Sequence, residues 1–153
     1  MQLIPLCFQK DFELIAKYTR ALFGELFGAE AIPSDSTLER IRASHDSTET
    51  KHWAFLVKHE DQDVGYFTLA ESFSIFAHGH YGILNELWVA PEHRSNGIGE
   101  YIISQIRQFA QQRDWLRLDV TAPPMEKWQR SVDFYEGQGF IHTGKKLKLI
   151  MED

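Results

Sequence analysis

The chain has 153 residues, 43% of them hydrophobic and 25% charged, and a formal net charge of −6. That length fits one domain, residues 1–153, with a core able to stand alone, and the composition is that of an ordinary soluble protein. No apolar run is long enough to span a bilayer, and the negative balance disfavours non-specific binding to nucleic acid or an anionic membrane, which need a positive field.

In chain order, Gln2–Cys7 reads as a short first strand, and Pro5, which cannot donate to a ladder, places it at an edge or ends it. This end lacks a basic region followed by an apolar one, so the expected location is cytoplasmic. Cys7, the single cysteine, rules out an internal disulfide and fits a reducing compartment; between Leu6 and Phe8 it reads as a small buried hydrophobe. Lys10–Phe27 carries a helical stripe of Phe12, Ile15, Ala16, Leu22, Phe23 and Leu26, interrupted by Thr19 and stopped at Gly28. After a loop with N-capping Ser34, Asp35 and Ser36, a short helix is expected from Thr37 to about Ala43, with Leu38 and Ile41 on one face.

His52–His59 and Val64–Glu71 alternate as two strands around the polar turn Glu60–Asp63. Ser72–Gly79 is expected to be a partly buried connection, and His80–Ala90 a further strand. Ile98–Arg113 is an amphipathic helix on Ile98, Ile102, Ile106 and Phe109. Leu116–Thr121 alternates as a strand, Pro123-Pro124 breaks the chain, and Glu126–Glu136 is helical on Trp128, Val132 and Tyr135. Phe140–Thr143 and Lys146–Met151 are expected as closing strands around Gly144. The order implies an α/β fold with a mixed, mostly antiparallel central sheet flanked by helices. Its strand–helix–strand unit from His80 to Thr121 should supply a parallel pair.

The stretch Leu84–Gly99 organises the chain. A strand ends at Ala90-Pro91, passes through Arg94-x-x-Gly97-x-Gly99 and enters a helix at once. Free N–H groups and the positive end of the helix dipole converge there, and glycines let a ligand approach the backbone, so the stretch suits a phosphate. The same glycines would also serve a turn that only packs the helix on the strand. A dinucleotide site is the other phosphate-binding possibility, but the chain lacks the Gly-x-Gly-x-x-Gly fingerprint.

Residues Val89-Ala-Pro-Glu-His-Arg-Ser-Asn-Gly-Ile-Gly99 resemble the acetyl-CoA motif of the GNAT acetyltransferase superfamily. Asp133-Phe-Tyr-Glu-Gly-Gln-Gly-Phe140 resembles that family's second signature, and the order of elements agrees over nearly the whole chain. The resemblance implies the GNAT acyl-CoA acyltransferase fold, acetyl-CoA as cosubstrate and no metal. Arg94, Ser95, Asn96, Gly97, Ile98 and Gly99 would hold the pyrophosphate. Leu87, Trp88 and Val89 would face the pantetheine and thioester, with a main-chain N–H near Trp88 or Val89 polarising the carbonyl. The chain departs from the family where an Asn is common two turns before the tyrosine: Trp128 stands there, beside Gln129 and Arg130.

Transfer to an amine also needs a proton donor for the leaving thiolate and a base for the ammonium. Tyr135 takes the donor's place by resemblance; core packing would equally explain a Tyr on an apolar stripe. Glu86 takes the base's place, on the same strand face as Trp88, and a structural pairing would explain it as well. Asp119 and Glu71 are weaker candidates. Glu25, Phe27 and Glu30 border the acceptor site by resemblance, and an exposed helix face explains the two acids equally. His78-Gly79-His80 has no acid or Cys cluster to complete a metal site. The expected partner is a small-molecule amine, tilted toward a cation by the acidic chain. A protein N-terminus or lysine stays open as acceptor, as does a non-catalytic acyl-CoA-binding sensor. The aromatic content of 13% leaves room for a homodimer contact.

Overall fold

The computed structural model describes residues 1–123 and 128–151. It divides into two compact units, Met1–Val120 and Thr121–Asp153. In the first, β1 (Gln2–Leu6), β2 (His52–His59), β3 (Gln62–Ser74), β4 (Gly79–Val89) and β5 (Leu118–Val120) form one sheet in that order. The first four strands are antiparallel, and β5 joins β4 in parallel after the helix α3 (Ile98–Gln112). Helices α1 (Phe12–Phe27) and α2 (Asp35–Ser44) fill the connection between β1 and β2. The mixed, mostly antiparallel sheet with flanking helices is the expected architecture.

Several boundaries differ from the sequence expectation for local reasons. β1 stops at Leu6 because the Cys7 N–H turns to the Asp11 carboxylate (2.7 Å), and Cys7 is exposed rather than buried. α2 starts earlier than expected, at Asp35, because the Ser34 hydroxyl accepts from the Thr37 N–H and caps it (3.2 Å). Leu38 is buried, while Ile41 is exposed. β3 runs on to Ser74, paired with Gly79, so the expected connection is a hairpin tip. Phe73, Ile75 and Phe76 are 65%, 88% and 92% exposed there, which corrects the partly buried assignment. Ladder pairs run up to Ser74 and Gly79 at the tip.

The two faces of the sheet are built differently. Against α3 lie Trp53, Phe55 and Val57 of β2, with Gly65, Phe67 and Leu69 opposite them on β3. Phe109 of α3 contacts the rings of both Trp53 and Phe55. At Gly65 a Cβ would come within 3.1 Å of Ile102 and 3.3 Å of Ile98, so the missing side chain lets α3 settle on the sheet. The other face packs Ile15, Tyr18 and Leu22 of α1 on Ala54, Leu56, Tyr66 and Trp88.

One irregularity positions the site. Thr68 pairs with Glu86 and Leu69 with Leu84, so Asn85 is an extra residue, a β-bulge in β4. Directly paired residues share a face. Leu84 therefore joins Leu69 on the α3 face, while Glu86, opposite Thr68, and Trp88, opposite Tyr66, lie on the α1 face. The pairing of β4 with β5 covers only Gly82–Leu84. Among the described residues, β4 beyond the bulge has β3 alone as ladder partner. β5 is shorter than expected, and Leu116, read as part of that strand, is 77% exposed.

In the second unit, α4 (Gln129–Gly137) covers most of the expected helix; Pro124, Glu126 and Lys127 lie outside the described residues. Gly139, with φ 99°, turns the chain after α4. The two closing strands are not formed: residues 140–151 have no regular structure, and Ile141, Leu147, Leu149, Ile150 and Met151 are exposed. Alternation sets the faces a strand would have but does not supply a ladder partner. No helix among the described residues is long and apolar enough to cross a membrane.

Candidate functional site

β4 ends at Val89, a single turn Pro91–His93 follows, and the loop reaches α3 through two residues with left-handed backbone, Ser95 (φ 65°) and Gly97 (φ 80°). A Cβ at Gly97 would meet nothing within 4 Å, so glycine is there for its conformation and leaves the space above the backbone open. The first helical bond of α3 runs from the Tyr101 N–H to the Gly97 carbonyl (3.0 Å). The N–H groups of residues 97–100 therefore have no partner within the helix, and they stand at the positive end of its dipole. Ile98 is 5% exposed and packed beside Gly65, so its side chain anchors α3 and only its backbone can face a ligand.

Arg94 opens this loop. Its Nε donates to the Val89 carbonyl (3.1 Å), and its two terminal nitrogens meet the two carboxylate oxygens of Glu25 on α1 at 2.5 and 2.6 Å. The residue expected to add charge at a phosphate and the acid expected near an acceptor amine thus pair with each other. Phe27 and Glu30 are exposed, and Phe27 touches Phe23.

Three residues before the end of β4, Glu86 accepts a hydrogen bond from the Thr68 hydroxyl. Burial pushes its carboxyl above the usual range, and the Thr68 bond offsets this only in part. Among the described residues no Lys, Arg or His stands within ion-pair distance of it. The weaker base candidates are engaged. Asp119 holds Arg117 (2.6 Å), and Glu71 accepts from Trp115 Nε1 (2.6 Å) with His80 Nδ1 at 3.4 Å. Leu87 and Val89 are half-buried, and Trp88 is buried with its ring 4.7 Å from that of Tyr18.

Beside Trp88 the α1 face opens into a cleft of about 460 Å³, lined by Lys17, Tyr18, Lys58, Asp63 and Glu92 among others. The Tyr18 hydroxyl donates to the Asp63 carboxylate, and Lys58 Nζ lies 3.0 Å from its other oxygen. Burial pushes the Tyr18 phenol well above its ordinary value, and Asp63 adds to this. Burial also raises Asp63, but the Tyr18 and Lys58 bonds win and hold it below the usual carboxylate range. The sequence reading missed Tyr18 and Asp63. The signal for Tyr18 was present, three residues after Ile15 and four before Leu22 on the same stripe. Asp63 read only as turn polarity.

Tyr135 belongs to the second unit. Its ring packs between Phe134 and Phe140, centroids 5.4 and 5.5 Å away, and its carbonyl accepts from the Phe140 N–H (3.0 Å). The Phe-Tyr and Gly-Phe pairs of the signature are thus one packed turn. Burial pushes the phenol up to about 12, so it stays protonated at neutral pH. Among the described residues no group of three or more His, Cys, Asp or Glu could hold a metal ion.

A family model, described as acetyltransferase (GNAT) domain, matches residues 50–142, more than half of the chain. Solved structures share the fold. A probable acetyltransferase is 21% identical with a TM-score of 0.75, over 100% of this chain and 99% of its own. An aminoglycoside acetyltransferase from an uncultured soil metagenomic sample, in complex with trehalose, is 17% identical with a TM-score of 0.71, over 99% and 95%. A ribosomal-protein-alanine N-acetyltransferase from Brucella melitensis biovar Abortus 2308 is 16% identical with a TM-score of 0.70, over 99% and 100%. No curated protein sequence matches the chain.

Proposed function

Because the chain belongs to the GNAT acetyltransferase family, we propose that it transfers an acetyl group from acetyl-CoA directly to a primary amine, with a small cationic molecule as acceptor. The observation that carries this reading is Glu86: a largely buried carboxylate with raised pKa and no cationic partner among the described residues, on the strand segment that β5 leaves unpaired. A structural carboxylate is normally paired when buried; one held without a cation suits a proton acceptor. The open left-handed Gly97 and the N–H groups at the start of α3 fit a diphosphate.

Acetyl-CoA supplies the activated thioester. Glu86 takes a proton from the acceptor ammonium, directly or through water, and frees the attacking lone pair. A main-chain N–H near Trp88 or Val89 polarises the thioester carbonyl. Tyr135, protonated at neutral pH, gives its proton to the departing sulfur. The acidic balance of the chain favours a cationic acceptor. The single cysteine fits a cytoplasmic setting.

The test is thiol release from acetyl-CoA with a panel of polyamines, aminoglycosides, amino acids and lysine peptides. Release with one amine class is expected. Silence across the panel with CoA binding intact would point to a sensor module. Acetyl-CoA at a hundredfold excess over Kd should stabilise the fold by about 2.7 kcal/mol, and no thermal shift would sink the proposal. Tyr135→Phe should lower turnover by roughly 10²- to 10⁴-fold with CoA affinity kept.

A further inference from the structure

The Arg94 guanidinium ties the end of β4 and the glycine loop that follows it to α1, 69 residues away in sequence. Its own backbone begins the glycine loop, its Nε closes the end of β4 through the Val89 carbonyl, and its fork grips Glu25 on α1. The two side chains are 33% and 29% exposed, so water screens the pair only in part. A two-pronged guanidinium–carboxylate contact is the strong, directional form of ion pair. It commits three of the five N–H groups and matches the positive charge, so Arg94 is not a spare cation waiting for phosphate.

The loop beyond it takes left-handed backbone at Ser95 and Gly97, and the space at the Gly97 Cβ position is open. Such a segment must be ordered before its N–H groups can converge on an anion, and ordering it beforehand strengthens binding. We propose that Glu25 is a positioning residue of the acyl-CoA site. By clamping Arg94 it fixes the loop whose N–H groups receive the diphosphate and ties that loop to α1. This rests on the acetyl-CoA reading above. It replaces an acceptor contact as the task of Glu25, since both of its oxygens already face Arg94.

The experiment combines amide hydrogen exchange on the ligand-free chain, calorimetry with CoA, and steady-state kinetics, for wild type, Glu25→Ala, Arg94→Ala, Arg94→Lys and the double alanine variant. In Glu25→Ala the amides of residues 95–100 should exchange faster. CoA Kd and acetyl-CoA KM should both rise about tenfold, the scale of one charged hydrogen-bonded contact. The kcat and the acceptor KM should stay within about twofold. Arg94→Lys, which keeps the charge but cannot fork, should lose CoA affinity like Glu25→Ala, and the double variant should be no weaker than Arg94→Ala alone. Unchanged exchange at 95–100 in Glu25→Ala overturns the proposal, as does a raised acceptor KM with CoA Kd unmoved, which would return Glu25 to the acceptor. A wild-type chain that does not bind CoA overturns the acetyl-CoA reading instead. The exchange contrast between wild type and Glu25→Ala, which needs no ligand, tells the two failures apart.

Discussion

The two faces of the sheet divide stability and chemistry between them. The α3 face is close to a pure hydrocarbon and aromatic interior: Ile102, Ile106, Phe67 and Leu69 are at most 1% exposed, and glycines at 65 and 82 make room for the layer above. The α1 face buries oxygen atoms instead. Tyr18, Tyr66, Thr68 and Glu86 lie on it, and burial raises the pKa of three of them. A buried carboxylate compensated only by one hydroxyl costs folding energy that an apolar residue would not. The contrast teaches that the polar groups of the α1 face are where a function has to be sought.

Breaking each face separately sharpens that division. The largest effect expected is on turnover. Glu86→Gln should lower kcat by roughly 10²- to 10⁴-fold if Glu86 is the base, and wild-type activity should fall as pH drops through its raised pKa. Its stability effect has the opposite sign. A carboxyl whose pKa is raised on folding favours the folded chain at low pH, and that contribution is lost as pH rises from the unfolded value of about 4.3 through the raised one. At pH 7.5 Glu86→Gln should therefore melt at or above the wild-type temperature, and at pH 4 the gain should vanish. A marked loss of Tm at pH 7.5 would make Glu86 structural.

On the α3 face the reverse is expected. Ile102→Ala should cost about 2–5 kcal/mol in a denaturant titration, with the kcat of the folded fraction preserved. Gly82→Ala comes next. Its Cβ would fall 2.3 Å from the Trp115 ring, a collision that forces repacking worth about 1–3 kcal/mol. An unchanged midpoint would show that Trp115 yields freely. The smallest effect belongs to His52, at the margin of the α1 face. Burial, with His45 adding to it, lowers its pKa to about 4. The unfolded chain takes up this proton below about 6.5 while the folded chain resists it, so stability is lost as pH falls from there toward 4. His52→Phe should flatten that slope in melting curves across the same window.

Much of this was legible in the sequence because it is local. The Arg94-x-x-Gly97-x-Gly99 loop, the Ile98–Ile106 stripe and the alternation of Trp53, Phe55 and Val57 each follow from residues within a few positions of one another. Glu86 and Trp88 share a face, as strand alternation predicts, because no bulge intervenes between them. Illegible features depend on partners far away. Cys7 is a local exception: Asp11, four residues on, turns its N–H out of the sheet. The segments Phe140–Thr143 and Lys146–Met151 have a strand's alternation without a ladder to join.

By itself, then, the sequence determined the order of elements as far as α4, most helix and strand faces, and the glycine loop that leads into α3, since periodicity and left-handed glycine are properties of the local chain. Only the tertiary structure decided which polar groups are spent on one another. Glu25 meets Arg94 across 69 residues, Tyr18 meets Asp63 across 45, and Thr68 meets Glu86 through a register set by the bulge at Asn85. A side chain's charge is written in its name, but its partner is fixed by register and packing, which no local stretch contains.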